Sequence, residues 1–524
     1  MAEPVRLIRC GNTVLIRPWV PALDAVLQYK RMEKTKTWPS RYVHTEIKLY
    51  AVDNNTGVTY GGLYDMLHEA MLRLRIPFVV EDHRKPLPAA QWDKISKDLR
   101  QGQDVVLAAI SVSHNGVIDC PTAFGKSFII TQLTLMYPDL KILVVTPGKQ
   151  VVESLFKRIK EETKQKVIQV RAGKKFNEHA DVVVCTAASL HNIPTDWPDL
   201  LLFDECHGAP APLTQEKLIK FSSCRMFGFS ASPDGRGDNA DVVVEAFFGR
   251  TMVKLSYQEA VDSDTIVPIE VYLRRVTCED IETNTDVERE REGYWQNTVR
   301  NLSIAEVAKN VPEHMQTLIM VKTTEHAVRL LALLPDFEMV HGGKDKNDWA
   351  FLMQEGALGD DWYTQEEISP YVDAVFQKGY TDMYEIKRRA ETALLVAFTK
   401  GDAELSCYTR YGQPDATAFR EKFEDGSLKK VIATTIWKEG IDPVHLRVLI
   451  RADGSSGNIP STQIPGRLAR RVEGKSMGIL IDFVDCYGGN FYRRSQKRIG
   501  HYRKKEWRIH EDWNGRFTPE MGSI

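Results

Sequence analysis

The sequence has no cysteine pair, no long apolar run and almost no net charge. Its eight cysteines stand scattered at positions 10, 120, 185, 206, 224, 278, 407 and 486, with no CxxC spacing. That pattern excludes a thiolate zinc site and a disulfide framework, and suits a reducing cytosol. No window of about 18 apolar residues is present, so no membrane span is expected. The start, "MAEPVRLIRCGNTV", lacks the apolar core of a secretory signal, and the expected location is cytoplasmic. A formal net charge of -2 gives no global field for a polyanion, so such a partner would meet local basic surfaces. Internal repeats and low-complexity tracts are absent as well. What remains is 524 residues, 43% hydrophobic and 27% charged, the profile of a globular protein too long for one core. About three domains is a fair prior for that length.

Residues 1–85 read as a small α+β unit. "NTVLIRP" and "EIKLYAVD" look like strands, "YDMLHEAMLRLRI" has helical spacing, and "PFVVED" is strand-like before the breaker "HRKPLP". From 86 to 255 short apolar runs alternate with helices: "DVVLAAI", "GVIDC", "KILVVTP", "DVVVCT", "LLLFDE" and "RMFGFSAS" are the strand candidates. Near-continuous apolar strands separated by helices indicate a parallel sheet covered on both faces. A second series fills 256–490 with "QTLIMV", "FEMVHGG", "KKVIATT", "VLIRAD" and "GILIDFVD". Two tandem α/β domains behind a small α+β domain is the expected architecture. The second is interrupted by an insertion at 344–415; about 70 residues is too long for a loop and implies helices of its own. A basic, aromatic tail, 491–524, follows.

"IDCPTAFGKSF" resembles a phosphate loop but lacks the first glycine, where Cys120 stands. Strand, turn and the amphipathic-looking "FIITQLTLMY" are nevertheless in the required order, aiming backbone N–H groups and a helix N-terminus at phosphates. In such a loop Pro121, Thr122, Ala123, Phe124 and Gly125 cradle the phosphates, Lys126 reaches them, and the Ser127 hydroxyl ligates Mg²⁺. "LLLFDECH" is an apolar strand ending in two carboxylates, delivered to the carboxyl edge where the loop also lies. Asp204 suits Mg²⁺, and Glu205 suits polarising the attacking water. A strand-ending Asp-Glu otherwise merely caps the next helix.

"DECH" at 204–207 resembles the Asp-Glu-x-His box of superfamily 2 helicases, and the other boxes appear in that family's order. Gln91 resembles the glutamine that reads the adenine edge; "VVTPGKQVVESL" and "CTAASL" resemble the first strand-binding boxes. "FSASP" resembles the coupling motif through Ser230 and Ser232, and "TLIMVKTTEHA", "ATTIWKEGID" and "QIPGRLAR" resemble motifs IV, V and VI. "KEGID" with "QIPGRLAR" is most similar to XPB-like and phage UvsW-like DNA helicases. The resemblance spans about residues 86–485. It implies two tandem RecA-like domains, the cofactors ATP and Mg²⁺, and a cytoplasm that is a bacterial cell's or a phage-infected host's. His207 and Gln463 would bridge the γ-phosphate to the coupling motif, with Gly440 and Asp442 near the ribose. Arg467 and Arg470, three apart, would share a helix face and meet the γ-phosphoryl charge when the domains close. Thr146, Lys149, Thr186 and Thr434 match positions that hold a nucleic-acid backbone. Each of those threonines is equally a helix cap.

Residues 490–510 mix basic and aromatic side chains, which fits either a backbone-tracking surface or a helix packing its aromatics on the second domain. Ala123 is the departure of most consequence, because a β-carbon crowds a loop that favours positive φ and so alters nucleotide affinity. Cys206 replaces an alanine and reads as a small packing residue. The function implied is an ATP-dependent DNA helicase or translocase acting on single-stranded, forked, branched or looped DNA, as a monomer. RNA or R-loops as the substrate, or a nucleotide-gated DNA-binding factor with little turnover, are the competing readings. The insertion offers tryptophans and carboxylates to a protein partner or to a strand-separating element.

Overall fold

The chain folds into two units, Met1–Ile266 and Val267–Ile524. The computed structural model describes residues 3–34, 42–171, 173, 175–231, 240–281, 283, 285–359, 362–437, 441, 443–457, 461–518 and 521.

The first unit is built on a seven-stranded, wholly parallel sheet. Its order is Val167–Val170, Val182–Thr186, Ile142–Thr146, Leu200–Asp204, Arg225–Ser230, Asn115–Asp119, Thr251–Lys254. The central strands Ile142–Thr146, Val182–Thr186 and Leu200–Asp204 are buried at every position. Helices on both faces require this, and it explains their unbroken apolar sequences. "DVVLAAI" is a helix, Gln103–Ser111, instead of the expected strand. Val106, Leu107 and Ile110 are buried at helical spacing while Val105 is 52% exposed, so period 3.6 outweighs the β-branched composition. The helix Lys126–Met136 is not amphipathic either. Ile129 through Thr134 are all buried, as a helix enclosed on every side requires.

Five of the N-terminal strands form a mixed sheet in the order Tyr50–Asp53, Thr56–Tyr60, Thr13–Arg17, Val5–Cys10, Phe78–Asp82, and Gln28–Lys34 pairs separately with Tyr42–Lys48. "EIKLYAVD" is two strands, broken at buried Leu49, whose N–H donates to Leu27 O at 2.8 Å. This sheet shares one hydrophobic core with the parallel sheet. Asn12 Nδ2 donates to Phe247 O at 2.9 Å, and Tyr60 meets Phe247 edge-on at 5.0 Å. Gly62 lies so close to the helix Asp241–Phe248 that an added β-carbon would sit 2.1 Å from Glu245 O. Residues 1–85 are therefore fused to the first unit.

The second unit repeats the plan with a seven-stranded parallel sheet: Glu338–Val340, Lys430–Ala433, Gln316–Met320, Leu446–Arg451, Gly478–Asp485, Ile269–Val276, Arg508–His510. Ile269–Val276 is a strand that the sequence reading missed. The insertion carries the helices Lys346–Gln354, Gln365–Phe376, Met383–Lys400 and Ser406–Tyr411. Trp349 and Trp362 are 0% and 4% exposed within the unit's core, so they present nothing to a partner. The segment after 490 is a folded part of the unit: helix Gly489–Lys504 covers the sheet and Arg508–His510 extends it. Three buried arginines fix that helix and its neighbours. Arg498 Nε donates to Asp482 Oδ2 at 2.8 Å, Arg300 Nε to Asp485 Oδ1 at 2.8 Å, and Arg451 Nη1 to Tyr502 OH at 2.9 Å.

Candidate functional site

The site forms at the carboxyl edge of the first parallel sheet, where strand ends and a helix start converge. After the strand Asn115–Asp119 the chain turns through Pro121–Phe124, with Phe124 N–H donating to Pro121 O at 3.3 Å. Gly125, at φ 99°, caps the helix Lys126–Met136, whose first-turn amides have no intrahelical partner. This is a cradle for phosphate. Ala123 adopts φ 71°, the left-handed conformation that favours glycine. Cys120, in the place of the missing glycine, is fully buried, and burial pushes its thiol up to about 12. It is a packing group, not a nucleophile.

Gln103 is the glutamine that meets this loop. It is 1% exposed, Nε2 donates to Phe124 O at 2.9 Å, and a β-carbon on Gly125 would sit 2.7 Å from that nitrogen. Its Oε1 accepts from Arg100 N–H at 3.0 Å. Gln91, by contrast, lies at the far end of the loop helix. Its N–H donates to Met136 O at 3.0 Å and its Nε2 to Asp139 Oδ2 at 3.2 Å. An 11-residue helix places that end about 16 Å from the phosphate loop. The expected strand at 104–110 hid Gln103, which stands at the N-terminus of the helix that is there instead.

The acidic box follows the central strand Leu200–Asp204. Asp204 is 6% exposed and accepts from Glu205 N–H at 3.1 Å. Glu205 takes the left-handed φ of 54°, a strained placement that turns its carboxylate back to the loop. Glu205 Oε1 is 3.1 Å from Lys126 Nζ, and Oε2 is 3.3 Å from His207 Nδ1. His207 Nδ1 is also 3.1 Å from Ser230 Oγ, on the fully buried end of the neighbouring strand. The loop, the acidic box and the strand Arg225–Ser230 are thus joined through Lys126, Glu205, His207 and Ser230. Burial opposes the charge on Glu205, but Lys126 and then His207 outweigh it and hold the carboxylate below its ordinary range. Burial first, and Glu205 second, push Asp204 upward. Burial, the largest influence, works against the Lys126 charge too, but the surrounding anionic groups, Glu205 foremost, together raise its pKa.

Among the described residues no group of three or more His, Cys, Asp or Glu side chains forms a metal cage. Ser127 and Asp204 offer one hydroxyl and one buried carboxylate, a donor set that fits a hard cation keeping waters and phosphate oxygens. The same sheet edge carries Thr146 and Thr186, which are register partners on adjacent strands. Thr146 Oγ1 donates to Gly148 O at 3.2 Å, and Thr186 Oγ1 is 3.1 Å from Ser189 Oγ, so both hydroxyls serve their own turns. Lys149 is exposed at the start of the helix Lys149–Glu162.

In the second unit Thr434 is 7% exposed and its N–H donates to Val340 O at 3.0 Å. Gln463 is half-buried, just ahead of a 3₁₀ helix, Pro465–Ala469. Arg467 Nη1 donates to Trp437 O at 2.8 Å. Arg470 caps that helix with ψ 127°, so the two arginines do not share an α-helical face as the spacing suggested. The proline at the helix start and the extended cap limit it to one short turn. Ser232, Gly440 and Asp442 lie outside the described residues.

A glycine-lysine-serine loop facing an Asp-Glu-x-His box at the edge of a parallel sheet, with a second such sheet later in sequence, gives the chain a tandem RecA-like build. Residues 91–235 match the family described as "Type III restriction enzyme, res subunit". A protein named as a helicase from Sulfolobus islandicus filamentous virus is 20% identical over 445 residues, covering 78% of this chain. The match spans 66% of that relative, just under two thirds of its length. Among solved structures, T4 UvsW is 14% identical and covers 97% of this chain and 99% of its own, at a TM-score of 0.40. Saccharomyces cerevisiae Dbp5 bound to RNA and ADP–BeF3 is 13% identical over 79% of this chain and 91% of its own, at 0.47. Over residues 91–235 the chain is thus similar to that restriction-enzyme family, and over most of its length to a viral protein named as a helicase.

Proposed function

We propose that the chain is an ATP-dependent DNA helicase or translocase that remodels forked, branched or looped DNA in recombination, repair or replication. The observation that carries the reading is the continuous polar link from Lys126 through Glu205 and His207 to Ser230. On ATP binding, Lys126 leaves Glu205 for the β- and γ-phosphates, over the amides of Gly125, Lys126 and Ser127. Pro121, Thr122, Ala123 and Phe124 shape the turn, and Gln103 holds it from behind. Ser127 and Asp204 would hold Mg²⁺, which would supply charge neutralisation at the phosphates. Glu205, released from Lys126 and still ionised, orients and deprotonates the attacking water. His207 transmits the change in Glu205 to Ser230. Arg467 and Arg470 offset charge on the transferring phosphoryl group, and Gln463 senses it. Lys149 and the amides near Thr146, Thr186 and Thr434 hold the strand by its backbone.

ATPase and unwinding on forks, Holliday junctions, R-loops and plain duplexes test the reading. Stimulation by branched DNA with unwinding supports it. Stimulation by RNA alone replaces it with an RNA helicase, and binding without turnover replaces it with a nucleotide-gated factor.

A further inference from the structure

The helix Gly489–Lys504 carries Arg493, Arg494, Lys497, Arg498, Arg503 and Lys504 and no acidic residue. The structure divides these cations into paired and unpaired ones; exposed Arg503 is paired, its Nη2 donating to Glu511 Oε1 at 2.8 Å. Arg498 faces inward and is neutralised by Asp482, and Arg494 donates to Glu290 Oε1 at 2.9 Å. The aromatics Phe491, Tyr502 and Trp507 are buried as well. Arg493, Lys497 and Lys504 point outward and are exposed, and among the described residues no carboxylate comes within ion-pair distance of any of them.

With Gly500 these three occupy positions spaced by four, three and four residues, which is one stripe along an α-helix. The stripe runs about 16 Å, the axial rise of about five nucleotides of one B-form strand. Gly500 is the second observation. A β-carbon there would meet nothing within 4 Å, so packing does not demand glycine. A mid-helix glycine is nonetheless unfavourable relative to alanine. Its effect is a bare stretch of backbone between Lys497 and Lys504 against which a strand can lie closely.

We propose that this outer face, Arg493–Lys497–Gly500–Lys504, is a sequence-independent binding surface for a nucleic-acid phosphate backbone. The inference rests on the proposed function for the class of partner, and adds a contact surface outside the motif residues. Charge complementarity selects that partner: cations without counter-charges at this spacing release counterions when they meet phosphates.

The test measures affinity of the full chain for a fluorescent forked DNA, without ATP, across a salt series. Replacing Arg493, Lys497 and Lys504 together by Ala lowers the slope of log affinity against log salt by about 2–3 and the affinity at 0.1 M salt about 100-fold or more. Each single replacement lowers the slope by about 0.7–0.9, which covers the case of a triple variant that fails to fold. Gly500→Leu, with every charge kept, weakens binding and leaves the slope unchanged. Affinity and slope unchanged in the alanine variants overturn the inference. So does a loss confined to binding of anionic phospholipid vesicles. A wild-type chain that binds no nucleic acid overturns the proposed function instead.

Discussion

Two substitutions in the phosphate loop, two residues apart, should act in opposite directions. Gly125 holds φ 99°, and its added β-carbon would meet Gln103 Nε2 at 2.7 Å, the nitrogen that donates to Phe124 O. Forcing an L-residue into a left-handed conformation costs about 1–2 kcal/mol. Displacing the glutamine forfeits about 1 kcal/mol more. If those 2–3 kcal/mol fall on the nucleotide-competent loop, Gly125→Ala binds nucleotide about 30- to 150-fold more weakly. Ala123 already bears the left-handed penalty at φ 71°. Ala123→Gly removes about 1–2 kcal/mol of strain and adds about 0.5–1 kcal/mol of unfolded-chain entropy. The net is a gain of about 0.5–1 kcal/mol, or about 1–3 °C in the midpoint of a unit this size. Titration with a fluorescent ATP analogue and thermal melting with and without nucleotide read both. A neutral Gly125→Ala, or a destabilised Ala123→Gly, would refute the assignment of strain to these two positions.

Gln103→Ala removes the side chain that bonds Phe124 O and Arg100 N–H, and should raise the KM for ATP several-fold while kcat changes less; steady-state kinetics separate the two. Gln91→Ala should leave both near wild type. Arg498→Ala strips Asp482 and Asp485 of a buried counter-charge and should destabilise the second unit by about 3–5 kcal/mol in urea melts. Lys475, 5% exposed, is lowered to about 7, first by burial and then by Arg447 and Arg470. Its folded pKa lies below the unfolded value of 10.5, so the unfolded chain binds more protons between those limits and stability rises from pH 7 toward 10.5. Lys475→Met should remove that rise, which is worth about 3–5 kcal/mol across the window in denaturant titrations.

The parallel sheets were legible because their strands are buried on both faces and read as unbroken apolar runs, from "KILVVTP" to "GILIDFVD". Lys126 and Glu205 were legible because strand ends and helix starts put them on one sheet edge. Periodicity failed where composition pulled against it. The valines of "DVVLAAI" suggested a strand, and that masked Gln103 at the head of a helix. Ile269–Val276 was hidden because polar Glu270 and two arginines interrupt its apolar pattern, although Glu270 is buried. Trp349 and Trp362 looked like surface recognition residues only because the insertion's own core is invisible in sequence. In "NFYRRSQKRIGHYRK" composition showed cations and aromatics together. Only the helix phase separates the buried Phe491, Arg498 and Tyr502 from the exposed Arg493, Lys497 and Lys504.

The central claim is that Glu205, ionised beside His207 and freed when Lys126 turns to the phosphates, drives nucleotide hydrolysis in a nucleic-acid motor. It is tested most directly by ATP turnover with single-stranded DNA, duplex DNA and RNA, for the wild type and Glu205→Gln. Nucleic-acid-stimulated turnover in the wild type should fall at least about 100-fold in the variant. Nucleotide should bind the variant as tightly as the wild type or more so, since Lys126 no longer has to leave a carboxylate. A wild type that hydrolyses ATP with none of the three polymers, or a variant that turns over at the wild-type rate, would contradict the account.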